Sequence, residues 1–500
     1  MNYVVTSTLP PTFGGRTKAL LNRTRLLMEN EDFDFTLIST NFKSNYQEIY
    51  DLYVNKHYVP QNVRFMNIYD FLRGNEEPKP TQKHPVEEEG YEVQKVSKKK
   101  NAYRYFKDGI YVMYKSYTHT GGQLNYIDYI SPNSSVRIMR KDYDLKGYLY
   151  REIHYVPNSL NKTQEIMYTQ SGSPFINRIY DGTDKNNIKH VVYFDGENSQ
   201  FFKDESEFIK FCFEKMIESN SNVICDVRKL DQPLNEADIH NCQKIYLQHS
   251  TFHELNKPEK LRGSFKYLKE HAKEADRIVL LTEEQRKNWE SVTGVTDNTV
   301  TIPHSISLTR EPTETRDKNK FVIMGRLDGN KRINHAMKAF SLAAKKNKDI
   351  YLEVYGEGDL LDELKSFRDE LSLHKRVVFK GRTDNPDQVF QSAQASLFTS
   401  KYEGFGLVVL ESLVNGCPVI SYDIKYGPNE MIEHDKSGFL VEPKNVEEMS
   451  EYILKAVDKK FDVQVDRKYS HESFVKQWAK LLQPNKKPFS QKLKALFNYS

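Results

Sequence analysis

Hydrophobic positions fall in two different rhythms along this chain. At the N-terminus, NYVVTST is a short β-rich run, LPPTFGG a loop, and RTKALLNRTRLLMEN a stretch in which Leu20, Leu21, Leu27 and Met28 share one helical face. FDFTLIST supplies a second strand. Strand, glycine turn, helix, strand is the opening of a parallel, doubly wound α/β domain.

The rhythm changes after the polar, proline-bearing connector GNEEPKPTQKHPVEEEG. GIYVMYKSY, LNYIDYIS, SVRIMRKDY, GYLYREIHYV, TQEIMYTQ, FINRIYDG and HVVYFDG are short, alternating and rich in tyrosine and β-branched residues. Turn-forming segments such as SPNSS, DLKG and SGSP separate them, so residues from roughly 100 to 200 read as an antiparallel meander inserted in the α/β domain.

The α/β pattern then resumes. DESEFIKFCFEKMIES predicts a helix, NVICDV a strand, and KIYLQHS a strand ending in His249. GSFKYLKEHAKEAD predicts a helix, RIVLLT a strand, EEQRKNWESV a helix, and TVTIPHSI closes the series. After the linker SLTREPTETRDKNK, a second series runs from KFVIMGRLDGNKR through IYLEVYGEGD, RVVFKGR, ASLFTS, EGFGLVVLESLVNG and CPVISYDI to GFLVEP. The expected division is therefore 1–75 and 205–308 for a first Rossmann-like domain, 76–204 for the inserted meander, 309–480 for a second Rossmann-like domain, and 481–500 for a tail. Two such domains would face a cleft, with ligands at the C-terminal ends of their strands.

Candidate chemistry lies at those strand ends. Arg326 and Lys331 follow the strand FVIM, a cation pair suited to a diphosphate, although a solvated basic loop has the same composition. In KYEGFGLVVLE, Gly404 and Gly406 let backbone N–H groups approach an anion at a helix start. Glu403 and Glu411, eight positions apart, would span up to roughly 12 Å at helical rise, enough to reach two sugars across a pyrophosphate. The alternative is a helix-terminal charge and a surface glutamate. Gly14-Gly15, after the first strand, offers a second close backbone approach, and His249 projects towards the expected cleft or serves as an ordinary structural histidine. GEGD and GFGL do not complete a dinucleotide fingerprint, and neither a P-loop nor a metal-ligand cluster is visible.

Composition narrows this picture. Lys plus Arg number 73 against 69 Asp plus Glu, a net +4 that implies no nucleic-acid partner, although Lys98-Lys99-Lys100 and the tail are locally basic. No apolar run approaches the roughly 18 to 20 residues of a membrane helix, and the N-terminus lacks a basic n-region. Four scattered cysteines without a C-x-x-C pair suggest a reduced, cytoplasmic protein. The tail NKKPFSQKLKALFNYS interleaves Lys486, Lys487, Lys492 and Lys494 with Phe489, Leu493, Leu496 and Phe497. It reads either as an amphipathic segment at the inner face of a membrane or as a last helix packed on the first domain.

With GR…K, E-G-F-G-L-x-x-x-E and G-C-P-V-I in place, the chain resembles retaining glycosyltransferase family 4, of GT-B fold. GGRTKALLNRTRLL, the inserted meander and SYDIKYGPNE are similar to bacterial wall teichoic acid α-glycosyltransferases, poly(glycerol-phosphate) α-glucosyltransferase above all. The resemblance implies that Arg326 and Lys331 hold the diphosphate and stabilise departing UDP. It implies that Glu403 contacts the donor sugar, Glu411 the ribose, and Gly404, Phe405, Gly406 and Leu407 the phosphates through backbone N–H groups. Gly15 would approach the phosphate, His249 the reacting sugar, and the backbone at Arg382 the uracil. The implied reaction moves glucose from UDP-glucose to glycerol-phosphate units with retention, without metal or cofactor. UDP-N-acetylglucosamine as donor, and serines of serine-aspartate repeat adhesins as acceptor, are the implied alternatives. A non-catalytic glycopolymer-binding subunit is the reading of another class. The tyrosine-rich insertion stays open between a half-buried sheet, an acceptor surface, a membrane-proximal platform and a contact in a homo-oligomer.

Overall fold

The computed structural model describes residues 1–74, 79–96, 101–118, 122–254, 257–308 and 315–483. The Lys98–Lys100 triplet and the tail from residue 484 onward lie outside these ranges. By contacts the chain groups into two compact units, one of Met1–Phe13 with Asp34–Lys244, the other of Gly14–Phe33 with the residues from Ile245 on.

In the first unit the strands Arg64–Asn67, Phe35–Ser39, Asn2–Thr6 and Asn222–Cys225 lie side by side in that order, all parallel. Val4 sits level with Leu37 on one side and Ile224 on the other, and all three are fully buried. Such continuous apolar runs are what a parallel sheet covered on both faces requires.

The insertion is a ten-stranded antiparallel meander, from Glu92–Lys95 to Asn198–Phe202, in which each strand pairs with its neighbours in sequence. Its tyrosines are largely interior. Tyr105 and Tyr117 pack with Met113, Leu124 and Ile127, and Tyr150, Tyr155 and Tyr180 are also buried. Buried ion pairs run across the strands. Arg140 binds Asp128 in a fork at 2.6 and 2.7 Å. Glu165, 2% exposed, accepts from Arg178 at 3.0 Å, Lys162 at 3.1 Å and Tyr180 at 3.2 Å, while Arg178 also donates to the Tyr69 hydroxyl at 2.6 Å. Burial works against the Glu165 charge, but Arg151, Arg178 and Lys162 outweigh it and hold its carboxyl down at about 2.

In the second unit, Gln243–Leu247 pairs in parallel with Arg277–Leu280 from Ile245 on, and Arg277–Leu280 with Thr299–Thr301. A six-stranded parallel sheet follows in the order Val377–Gly381, Tyr351–Tyr355, Asp317–Met324, Ala393–Phe398, Val419–Tyr422, Gly438–Val441. Helix Ile333–Lys346 buries Ile333, Ala336, Met337, Phe340, Ala343 and Ala344, a stripe at 3.6-residue spacing. Parallel α/β sheets and an antiparallel insertion are thus present as expected.

Two expectations need correction. GSFKYLKEHAKEAD is not one helix: a turn at Gly263–Phe265 leads into Lys266–Glu270, after which Ala272 and Glu274 donate to Lys269 and His271 three residues back. Beyond Glu270 its only buried apolar residues are Ala272 and Ala275, too small to hold a longer helix against the core. The strand before His249 ends at Leu247, so the histidine stands in the following loop.

Candidate functional site

The loop after Asp317–Met324 folds on its own aspartate. The Asp328 carboxylate accepts backbone N–H groups from Asn330 at 3.0 Å and Lys331 at 3.2 Å, and pairs with Arg326 at 3.1 Å. This turn fixes where both cations point. Arg326 reaches outward with 73% of its side chain exposed, whereas Lys331 turns inward and is 16% exposed. Lys331 Nζ donates to Glu403 Oε1 at 2.6 Å and stands 5.3 Å from the Phe398 ring centroid. Backbone contacts bind the two loops together: Asn330 Nδ2 donates to the Tyr402 carbonyl at 3.1 Å, and Lys401 N–H to the Asn330 carbonyl at 2.7 Å.

The glycine-rich turn is held from two sides. A side chain at Gly404 would strike the carbonyl of His249, so the loop and the histidine segment meet backbone to backbone. A side chain at Gly427 would strike the Phe405 carbonyl, so the SYDIKYGPNE segment presses on the same turn. Around that contact, Glu403 N–H donates to the Lys425 carbonyl at 3.4 Å and Tyr426 N–H to the Glu403 carbonyl at 3.3 Å. The chain then passes through Gly406 at φ 85 into helix Leu407–Val414, which starts without a side-chain cap.

A second helix, Gly15–Asn30, also starts without a side-chain cap, and its first residue meets the start of the other. The Cβ position of Gly15 is 3.7 Å from Leu407 Cδ1. Helices beginning after Asp204, Thr282, Asn445 and Ser470 are capped by those side chains, whereas Tyr46–Asn55, Ile333–Lys346 and Leu361–Glu370 also start without one, so it is the meeting of the two starts that marks this place. Two uncapped helix starts in contact present free backbone donors and two positive dipole ends to one place, an arrangement that suits an anion. Glu411, in the second turn of the later helix, pairs with Lys18 in the first turn of the earlier one at 2.5 Å.

His249 is half-buried, and its ring stacks on His304 with centroids 5.7 Å apart and planes 20° from parallel. His304 meets Phe405 edge-on at 5.2 Å, and Phe405 meets Tyr469 at 5.9 Å. Arg382, just beyond strand Val377–Gly381, is 59% exposed and 3.8 Å from Glu357, whose carbonyl accepts the Leu327 N–H.

The sequence-predicted residues thus gather closely. Lys331 and Glu403 are in direct contact, Gly404 lies on His249, Gly15 on Leu407, and Phe405 on the ring that stacks on His249. Arg326 and Arg382 stand at the margin with exposed guanidinium groups. Lys18, His304 and Gly427 were not singled out from the sequence. Lys18 lay in the quoted GGRTK and His304 in TIPHSI, but a lone lysine or histidine carries no signal until a distant partner is known.

A family model described as glycosyl transferases group 1 matches residues 307–474, the segment that supplies Arg326, Lys331, Glu403 and Glu411. The chain carries a glycosyltransferase domain. The fold that bears it is GT-B: S. aureus TarM, solved with UDP, superposes with a TM-score of 0.82 over 96% of this chain and 99% of that one, at 23% identity. Similarity extends beyond the glycosyltransferase domain. Poly(glycerol-phosphate) alpha-glucosyltransferase of Bacillus subtilis is 27% identical over 95% of this chain and 74% of its own length. Poly(ribitol-phosphate) alpha-N-acetylglucosaminyltransferase of Staphylococcus aureus is 25% identical over 94% of this chain and 96% of its own.

Proposed function

We propose that this protein transfers glucose from UDP-glucose, with retention, to hydroxyls of a poly(glycerol phosphate) wall teichoic acid. The observation that carries the reading is the meeting of two uncapped helix starts, at Gly15 and Leu407, flanked by the Lys331–Glu403 pair. That geometry suits the diphosphate of a sugar nucleotide, and the similarity to a poly(glycerol-phosphate) alpha-glucosyltransferase along 95% of the chain supports the acceptor.

In this mechanism the helix starts, Arg326 and Lys331 stabilise the charge that grows on the leaving diphosphate. Glu403 orients the sugar hydroxyls and Glu411 the ribose, with uracil at the backbone beside Arg382. The acceptor hydroxyl attacks the anomeric carbon on the face that UDP leaves. The new C–O bond forms as the old one breaks, and the hydroxyl proton passes to an oxygen of the departing diphosphate. Protein cations supply the charge stabilisation, so the proposal includes turnover undiminished by EDTA.

The 25% identity to a poly(ribitol-phosphate) alpha-N-acetylglucosaminyltransferase favours a second reading, with UDP-N-acetylglucosamine as donor. UDP release from each donor, with poly(glycerol phosphate), poly(ribitol phosphate) and a serine-aspartate repeat peptide, separates them. Turnover that needs the glycerol polymer and prefers UDP-glucose is the expected result. Preference for UDP-N-acetylglucosamine moves the assignment to the second reading, turnover only with the peptide moves it to adhesin serines, and UDP binding without turnover on any pair overturns both.

A further inference from the structure

We infer that His304 is a positioning residue for glycosyl transfer, holding the His249 imidazole in place against the glycine-rich turn. The inference rests on the proposed reaction and adds a residue to it.

The argument begins with what fixes His249. Its strand ends two residues earlier, at Leu247, so no sheet ladder reaches the histidine. Its carbonyl lies against Gly404, which locates the backbone, while the direction of the ring is set by two side-chain torsions. The His304 ring restricts them. It lies 5.7 Å from the His249 ring at 20°, an offset stack, and its edge arrangement with Phe405, at 5.2 Å and 80°, ties the pair to the turn itself. Phe405 is 3% exposed and cannot shift without disturbing the core.

His304 is itself well anchored. It follows Ile302, which is 1% exposed, and precedes Ser305, whose hydroxyl meets His471 Nδ1 at 3.0 Å; Ile306 N–H donates to the Tyr469 carbonyl at 2.9 Å. A ring on a rigid segment, between a core phenylalanine and a loop histidine, fits a support better than a ligand contact. Both imidazoles are half-buried, so the outer one can still reach a bound sugar.

A positioning role makes three commitments. His304→Ala lowers kcat about tenfold while the affinity for UDP alone, read by calorimetry, stays within twofold. His304→Phe, which keeps a flat ring in the stack, recovers most of that loss. The double variant His249→Ala/His304→Ala is no slower than His249→Ala, because the support has nothing left to hold. The measurement is UDP release under donor saturation for the wild type and the four variants, with melting temperatures confirming that each is folded. Independent losses that multiply in the double variant overturn the inference, as does a fall in UDP affinity that accounts for the loss in His304→Ala. So does an inert His249→Ala substitution. A wild type that releases no UDP from any sugar nucleotide instead overturns the proposed function, and this inference with it.

Discussion

Lys331 and Glu403 neutralise each other at 2.6 Å, with about a sixth of each side chain exposed. In the proposed reaction Lys331→Met removes a cation that stabilises the leaving group, and in the structure it leaves a partly buried carboxylate without its partner. The expected loss in kcat is about 10² to 10³-fold, and Glu403→Gln should lose a similar factor. If either variant retains wild-type kcat in the UDP-release assay, the pair has no catalytic part. Glu411 belongs to a different class of effect. Its proposed ribose contact is the same in ground and transition state, so Glu411→Gln should raise the donor KM about tenfold with little change in kcat. Lys18, its partner, is 60% exposed, so Lys18→Met should change stability by less than about 1 kcal/mol in denaturant titration. The glutamates and cations were legible in the sequence because strand-end loops advertise their chemistry through residue type. Their partners were not. Lys18 precedes Glu411 by 393 positions, and nothing local in either segment selects the other.

Among the elements, the glycine-rich turn was the easiest to read and its supports the hardest. Strand, glycines and helix at 393–414 follow from local rules. That Gly404 abuts the His249 carbonyl and Gly427 the Phe405 carbonyl follows only from how three loops converge. Gly404→Ala and Gly427→Ala should each force backbone apart, costing about 1 to 3 kcal/mol and lowering activity out of proportion to stability. Calorimetric melting paired with UDP release tests this, and an alanine variant with unchanged activity would show that the contact is slack. The helix expected over GSFKYLKEHAKEAD failed for a related reason. Its polar positions suit a helix, but only two alanines are buried beyond Glu270, and turn bonds take over there.

The molecule as a whole carries two opposed pH dependences in its first unit. Glu165 is held at about 2 in the folded chain, below an ordinary glutamate, so its contribution is full above about pH 4.5 and is lost as pH falls towards 2. That contribution is on the order of 3 kcal/mol, and Arg178→Met should cost about 3 to 5 kcal/mol at neutral pH by leaving part of the charge uncompensated. Asp231 goes the other way. Burial raises it to about 6, although Arg228 at 3.3 Å opposes the shift. Its neutral form is favoured on folding, so its contribution is present below about pH 4 and is lost as pH rises through 6. Asp231→Asn should therefore gain on the wild type between pH 4 and 7 in urea titrations, and a gap that stays constant over that range would refute the assignment. We also expect a homo-oligomer, to be read by sedimentation; a monomer at micromolar concentration would leave the insertion to the acceptor. The fold class and the existence of the insertion were legible because two periodicities, 3.6 and 2, segregate along the chain. The interior ion pairs of the insertion were not, since Arg, Glu and Lys on alternating strand positions read as solvated until the covering helix Ile68–Arg73, with Tyr69 against Arg178, is seen.

The connectivity of the first unit has a further consequence, for biosynthesis. Strand Asn2–Thr6 takes Asn222–Cys225 as one of its two neighbours, more than two hundred residues away, and the ten-stranded meander lies between them in sequence. Every meander strand, by contrast, pairs only with those adjacent in sequence. On a ribosome adding about 5 to 20 residues per second, the insertion can close hairpin by hairpin as it emerges, while the first strand waits about 10 to 40 s for its partner. During that interval the nascent chain exposes an unpaired apolar edge, Val4 and Val5 included, beside a finished domain. Moving the insertion's coding segment to the end of the gene would shorten the delay by more than half and separate the cost of topology from the cost of sequence.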